Sequence, residues 1–233
     1  HLRHFGGRAS DYVDLAAGLA PLRGLALTGT ARIGKIVAAP AILADSEQDV
    51  RDFQAALGWT RSRLGFEVSY SRTSAFSPFG YADFPQVPLL APAPKTEWIT
   101  ASVRLAPLQW ITLETWYSDP RGITPDGLPP TLSMSAATLR SKFLRQFPSG
   151  IFDLKLRLSM ESWGRGVIGR DLTGNPIELK GATFFRTLLQ IQLDRFSIYW
   201  DRVNLTSTKL TYVPGFRIPG LGSDFGVRWE FWN

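Results

Sequence analysis

Residues 151–161 read IFDLKLRLSME. Phe152, Leu154, Leu156, Leu158 and Met160 alternate without a break with Asp153, Lys155, Arg157, Ser159 and Glu161. Successive side chains of an extended strand point to opposite faces, so this stretch is a strand with one greasy and one charged face. The same period runs through Phe53, Ala55, Leu57 and Trp59. It continues in Leu64, Phe66, Val68 and Tyr70 against Gly65, Glu67, Ser69 and Ser71, after an Arg61-Ser62-Arg63 turn. Ile99, Ala101, Val103 and Leu105 alternate with Thr100, Ser102 and Arg104; after Pro107-Leu108, Ile111, Leu113 and Tyr117 face away from Thr112, Glu114 and Ser118. These segments are hairpins.

Less regular strands are expected over Tyr12–Ala20, Leu25–Gly34, Thr138–Phe147, Thr183–Asp194, Phe196–Arg202 and Asp224–Phe231, which makes about eleven in all. Tight turns are expected at Pro21-Leu22-Arg23, Ser62-Arg63, Pro107-Leu108, Pro148-Ser149-Gly150 and Asp194-Arg195. They alternate with long connections over 35–50, 73–95, 119–135, 163–181 and 205–223, rich in Pro, Gly, Ser and Asp. Outer-membrane barrels have short periplasmic turns and long extracellular loops, so the alternation assigns a side of the membrane to each connection. Leu19-Ala20-Pro21-Leu22 echoes Leu105-Ala106-Pro107-Leu108, which reads as shared turn chemistry rather than a solenoid repeat.

Composition agrees. The 233 residues are 44% hydrophobic with a mean hydropathy of -0.04, and no run approaches the roughly 18 apolar residues of a spanning helix. A spanning strand needs only about 9–11 residues, half of them facing lipid, so a barrel crosses a bilayer at neutral mean hydropathy. The expected fold is therefore all-β: one antiparallel transmembrane β-barrel domain over residues 1–233, about 11–12 strands and potentially part of a larger barrel, in the bacterial outer membrane. The competing reading is a soluble sandwich. Against it, the apolar face is rich in large side chains on nearly every strand, and Trp59, Tyr70, Trp98, Trp110, Tyr117 and Trp229 fall near strand ends, where a bilayer has its interfaces.

The net charge of +6 comes from 26 basic residues scattered among 20 acidic ones, so no nucleic-acid partner is implied. The absence of cysteine removes disulfides and thiolate sites, and the only histidines, His1 and His4, lie at the terminus and in no strand expected from the pattern, so Ser-His and Cys-His catalysis is close to excluded. No enzyme, cofactor or metal site is expected. Lacking an initiator Met, the chain reads as processed or as a fragment, and His1–Arg8 is poor strand material.

The last residues, Asp224-Phe225-Gly226-Val227-Arg228-Trp229-Glu230-Phe231-Trp232-Asn233, put Phe225, Val227, Trp229 and Phe231 on one face. Asp224, Gly226, Trp229 and Phe231 resemble the β-signal recognised by the barrel-assembly machinery, with Trp232-Asn233 as an extension beyond the usual terminal aromatic. An unpaired apolar strand edge is a template for strand addition, which gives such a signal its physical basis. Preceded by the loop residues 212–220, YVPGFRIPG, this terminus is similar to that of TonB-dependent outer-membrane transporters. The resemblance implies a barrel of about 22 strands, of which about half is visible, with a plug domain that is not recognisable in this sequence. It further implies partners: outer-membrane lipid and lipopolysaccharide, the assembly machinery, and TonB or other chains of a complex.

Arg32, Glu67, Arg104, Glu114, Lys155, Arg157, Glu161, Arg186, Arg228 and Glu230 are the candidate lumen residues, positioned to line a solute path, grip a plug or pair with one another across the wall. The loop 76–94, with Phe76, Phe79, Tyr81 and Phe84, is a candidate ligand- or partner-binding loop at the cell surface. The function expected is outer-membrane transport as the barrel portion of a TonB-dependent receptor. A passive porin-like channel and a structural barrel subunit are the alternatives.

Overall fold

The computed structural model describes residues 2–5, 8–37, 47–75, 92–213 and 216–229. Twelve strands form one sheet: β1 (Leu2–Phe5), β2 (Arg8–Leu22), β3 (Leu25–Val37), β4 (Glu47–Thr60), β5 (Leu64–Thr73), β6 (Thr96–Leu108), β7 (Ile111–Arg121), β8 (Leu132–Ser141), β9 (Phe152–Trp163), β12 (Ala182–Leu193), β13 (Phe196–Val203) and β16 (Gly222–Trp229). Each pairs antiparallel with its neighbours in chain order, and the sheet is not closed. Two small hairpins lie in the connections: β10 (Gly166–Arg170) with β11 (Pro176–Leu179), and β14 (Thr211–Val213) with β15 (Phe216–Arg217). This is an up-and-down meander belonging to a partial antiparallel barrel, and it excludes a sandwich, which would place its strands in two packed sheets.

Register converts the period of two into two faces. Residues paired across an antiparallel ladder share a face, so the chain of partners Leu105, Leu113, Ala137, Leu158 and Thr187 runs along one side. Arg104, Glu114, Ala136, Ser159 and Arg186 run along the other. Leu15, Leu27, Phe53, Val68, Val103, Leu158, Phe185, Trp200, Phe225 and Trp229 all fall on the first face, and all are exposed. In water such a surface would be an aggregation hazard; in a bilayer it is the solvated side. The conventional core is accordingly small: among the described residues the buried apolar side chains are Val50, Ala93, Ile168, Leu179 and Leu210.

Several expectations need correction. The strand expected over Thr138–Phe147 is β8 at 132–141. Its sheet partners continue the ladder through Leu132 and Met134, whereas Phe143, Leu144 and Phe147 mimic strand alternation but belong to a ten-residue connection, 142–151. The tight turn expected at Pro148-Ser149-Gly150 is only the end of that connection, and the loop expected over 119–135 shrinks to 122–131. Residues 2–5, judged poor strand material, pair with residues 8–11, because the ladder uses backbone groups and tolerates polar side chains at an edge. Pro21 and Pro107 lie inside strands, and the turns follow at Arg23-Gly24 and Gln109-Trp110. The shared tetrapeptide has a shared cause, since both copies carry a register shift, between Leu19 and Leu22 and between Leu105 and Leu108, where proline removes a ladder donor. Trp98 lies near the end of β6, as expected, but pairs with Ser71 and Pro120 on the polar face.

Leu156→Arg on the apolar face should lower stability by roughly 2–4 kcal/mol, as expected for a cation near the bilayer midplane. Arg157→Gln on the opposite face should cost under about 1 kcal/mol, because its partner is a half-exposed carboxylate. Urea unfolding in lipid vesicles measures both.

Candidate functional site

The polar face carries its charges in cross-strand groups. Glu114 on β7 accepts a hydrogen bond at 2.8 Å from Arg157 on β9 and lies 3.9 Å from Arg104 on β6, while Arg157 also donates to Thr138 on the intervening β8. Arg186 on β12 forms a two-pronged pair with Asp201 on β13, and Asp224 on β16 is the next residue along that row. Arg32 and Asp14 join β3 to β2 at 2.7 Å, and Arg140 grips Asp153 between β8 and β9 with a shortest contact of 2.5 Å. Such groups form because long side chains on one face reach directly opposed partners, as in Arg32–Asp14 and Arg104–Glu114, and diagonal or next-but-one ones, and bidentate guanidinium geometry suits a carboxylate.

Of the residues singled out from sequence, Arg104, Glu114 and Arg157 are brought together, and Arg186 and Arg32 each hold an acid. Glu161 accepts the indole N–H of Trp163 at 2.6 Å. Glu67 pairs in register with Gly58 and Ser102, Lys155 with Arg140 and Gln190, and Arg228 with Ser197, all on the same face. Asp224, Gly226 and Trp229 lie in β16, where the ring of Tyr199 occupies the space a side chain at Gly226 would need. Glu230 and Phe231 lie outside the described residues, as do Phe76, Phe79, Tyr81 and Phe84 of the surface loop. Asp14, Asp153 and Asp201 were missed as site residues. Their place in the same alternation is legible, but only register shows which arginine each one meets.

A cavity of about 550 Å³ opens on the polar face, lined by Glu114, Trp116, Arg157, Glu161, Phe184 and Arg186. Its roof is Ile218-Pro219 of the 204–221 connection. Asn204 holds that roof: it is buried, its amide donates to the carbonyls of Thr208 and Pro219 at 2.9 Å each, and its oxygen accepts from the Thr208 N–H at 2.9 Å. With φ at 52°, it occupies the left-handed region that asparagine tolerates better than most residues. Ile168, Leu179 and Leu210 then pack the 204–221 connection against the β10–β11 hairpin, backed by Trp163, Phe184 and Ile218. Arg170 reaches Asp126 at 2.9 Å and the Gly127 N–H donates to the Val167 carbonyl, so the 122–131 connection joins the same unit. At the hairpin tip, the Thr173 hydroxyl and the Thr173 and Asn175 backbone N–H groups donate to Asp171, holding its carboxyl below the usual range.

No family model and no curated protein matches the sequence. Solved structures do match. Two variants of the FrpB iron transporter from Neisseria meningitidis superpose with TM-scores of 0.69 and 0.65 at 10% identity. A mutant of the ferric enterobactin receptor PfeA from Pseudomonas aeruginosa superposes with a TM-score of 0.65 at 11% identity. In each case 96% of this chain is covered and 40% of the other, so the chain spans well under half the length of the structures it matches. The fold is that of part of the β-barrel of these structures, and the resemblance drawn from the terminal strand holds at the level of fold.

Asn204→Ala removes three hydrogen bonds and places alanine at a positive φ. Amide exchange across 204–219 should accelerate, reflecting a local loss of roughly 1–3 kcal/mol, while β5 and β6 stay protected. Hydrogen–deuterium exchange in detergent reads this directly.

Proposed function

We propose that this chain is the barrel portion of a TonB-dependent type of receptor that takes up solutes across the bacterial outer membrane, with no enzymatic activity of its own. The observation that carries the reading is that nearly the whole chain adopts the fold of iron-transporter barrels while bearing a charged, cavity-bearing face opposite an exposed apolar one. In this reading the polar face is the lumen wall. The Arg104–Glu114–Arg157 and Arg186–Asp201 groups line the passage and hold whatever fills it, and the packed loops roof its outer end. Further strands of the whole protein close the sheet, since a lipid-exposed sheet edge leaves backbone groups unpaired in hydrocarbon. Asp224, Gly226, Trp229 and Phe231 serve as the assembly signal. TonB, outer-membrane lipid, lipopolysaccharide and the barrel-assembly machinery are the partners this reading assigns. Ferric chelates are the first solutes to test, because the matched structures are an iron transporter and a ferric enterobactin receptor.

Deleting the gene should lower uptake of a radiolabelled ferric chelate, and in the intact strain a protonophore should abolish that uptake. The purified full-length protein should give no steady conductance in a planar bilayer. Steady conductance with protonophore-insensitive flux would overturn the reading in favour of a passive channel. Stable co-purification with other chains and no flux would make the protein a structural subunit.

A further inference from the structure

The connection between β8 and β9 is out of place among its neighbours. The other connections on its side of the sheet are Arg23-Gly24, Arg61-Ser62-Arg63, Gln109-Trp110 and Asp194-Arg195. This one runs for ten residues, Lys142-Phe143-Leu144-Arg145-Gln146-Phe147-Pro148-Ser149-Gly150-Ile151. It is not a slack loop. The Gln146 and Phe147 N–H groups both donate to the Phe143 carbonyl, the Gly150 N–H donates to the Phe147 carbonyl, and the Asp194 N–H donates to the Ile151 carbonyl. Phe143 is held at a φ of 47°, which a large side chain rarely adopts.

The single turn so formed brings Phe143 and Phe147 onto Phe152. The Phe147 ring stacks on it with centroids 4.8 Å apart, and the Phe143 ring meets it edge-on at 5.6 Å. Phe152 belongs to the apolar, lipid-solvated face, at the end of β9. Its register partner Leu193 pairs with Phe196, and Phe196 pairs with Trp229, whose ring it meets edge-on at 5.9 Å. The loop therefore extends a band of large side chains that rims the lipid face at this end, while Phe143, Leu144, Phe147 and Ile151 remain exposed.

The charge around this band is one-sided. The connections at this end contribute Arg23, Arg61, Arg63, Lys142, Arg145 and Arg195, all exposed, against the single acid Asp194. Among the described residues, connections at the opposite end mix Asp126, Asp171 and Glu178 with bases such as Arg165, Arg170, Lys180 and Lys209. By the short-turn rule the cationic end is periplasmic. Exposed aromatic and aliphatic groups beside cations, continuous with a lipid-facing surface, are what a bilayer interface accommodates: rings and chains at the headgroup level, cations at lipid phosphates.

We propose that residues 142–151 are a membrane-surface anchor. Phe143, Leu144 and Phe147 lie in the headgroup boundary of the periplasmic leaflet, and Lys142 and Arg145 engage anionic phospholipid headgroups there. The proposal rests on the membrane-barrel reading and adds a lipid-binding element to it. Such an anchor fixes one sector of the barrel in depth and tilt.

The 233 residues contain no cysteine, so once any cysteine elsewhere in the full-length protein is replaced, single cysteines at Leu144, Ser62 and Leu158 can carry an environment-sensitive fluorophore without background. The labelled proteins go into phosphatidylcholine vesicles with and without phosphatidylglycerol, and quenching by spin-labelled lipid is compared with quenching by aqueous iodide. The expected result is lipid quenching at 144 as at 158, iodide quenching at 62, and a shift of 144 toward iodide when Lys142→Gln and Arg145→Gln are combined, in phosphatidylglycerol vesicles only. If 144 behaves as 62 in both compositions while 158 stays lipid-quenched, the anchor is overturned and the loop is left as a docking site for a periplasmic protein. No response to the double substitution overturns the headgroup contact. Iodide quenching at 158 would instead overturn the barrel on which the proposal stands.

Discussion

A backbone that crosses hydrocarbon must satisfy each amide and carbonyl from within, and a sheet does so only by pairing every strand on both sides. That constraint accounts for the arrangement of the twelve strands. Each strand between the two edges, β1 and β16, pairs with the sheet strand before it and the one after it, so no ladder has to be assembled from distant parts of the chain. Once the ladder is fixed, the pleat sends alternate side chains to lipid and away from it, and a slip of one residue would turn Lys155 and Arg157 into the membrane. The charged residues thereby enforce register by the cost of misplacing them.

The energetics of the two faces differ in kind. On the apolar side, Leu158, Phe185 and Trp229 gain nothing from mutual burial comparable to a soluble core, and their role is to make the membrane a tolerable solvent. On the polar side, pairs such as Arg157–Glu114 are partly exposed and individually weak. They act collectively, tying three or four strands across the face and leaving few isolated charges beside the cavity. Among the described residues the packed apolar cluster is outside the sheet, where Ile168, Leu179 and Leu210 join two connections into a folded roof. Rigidity is thus concentrated in the wall and the roof, which leaves the cavity beneath with defined edges.

The barrel was legible because its period is two and the two faces differ so sharply in chemistry: 152–161 suffices to assign the face of every residue on β9. Legibility failed where local pattern and tertiary role diverge. Phe143, Leu144 and Phe147 imitate a strand because large apolar side chains in a connection and on the apolar face are the same residue types, and only the partners of β8 reveal that the ladder has already ended at Ser141. Pro21 and Pro107 look like turns because proline usually ends a ladder, yet here it is absorbed by a bulge inside each strand. The candidate lumen residues were found as a set but not as groups. That Glu114 meets Arg104 and Arg157, and that Arg186 meets Asp201, depends on register between strands, which no single strand encodes. The roof over the cavity left little trace in sequence, because Asn204 looks like any loop asparagine until its buried amide is seen to hold both ends of the 204–219 turn.

The central claim is that one face of this sheet is bathed in lipid and the other is not. A nitroxide carried in turn at each position from 152 to 163, in the full-length protein in lipid vesicles, tests it by collision with oxygen, which concentrates in the bilayer, and with a water-soluble nickel complex. Oxygen accessibility should rise at 154, 156, 158 and 160 and fall at 155, 157, 159 and 161, with the nickel response in opposite phase. Accessibility that is uniform along the strand, or dominated by nickel on both faces, would contradict a membrane-spanning wall.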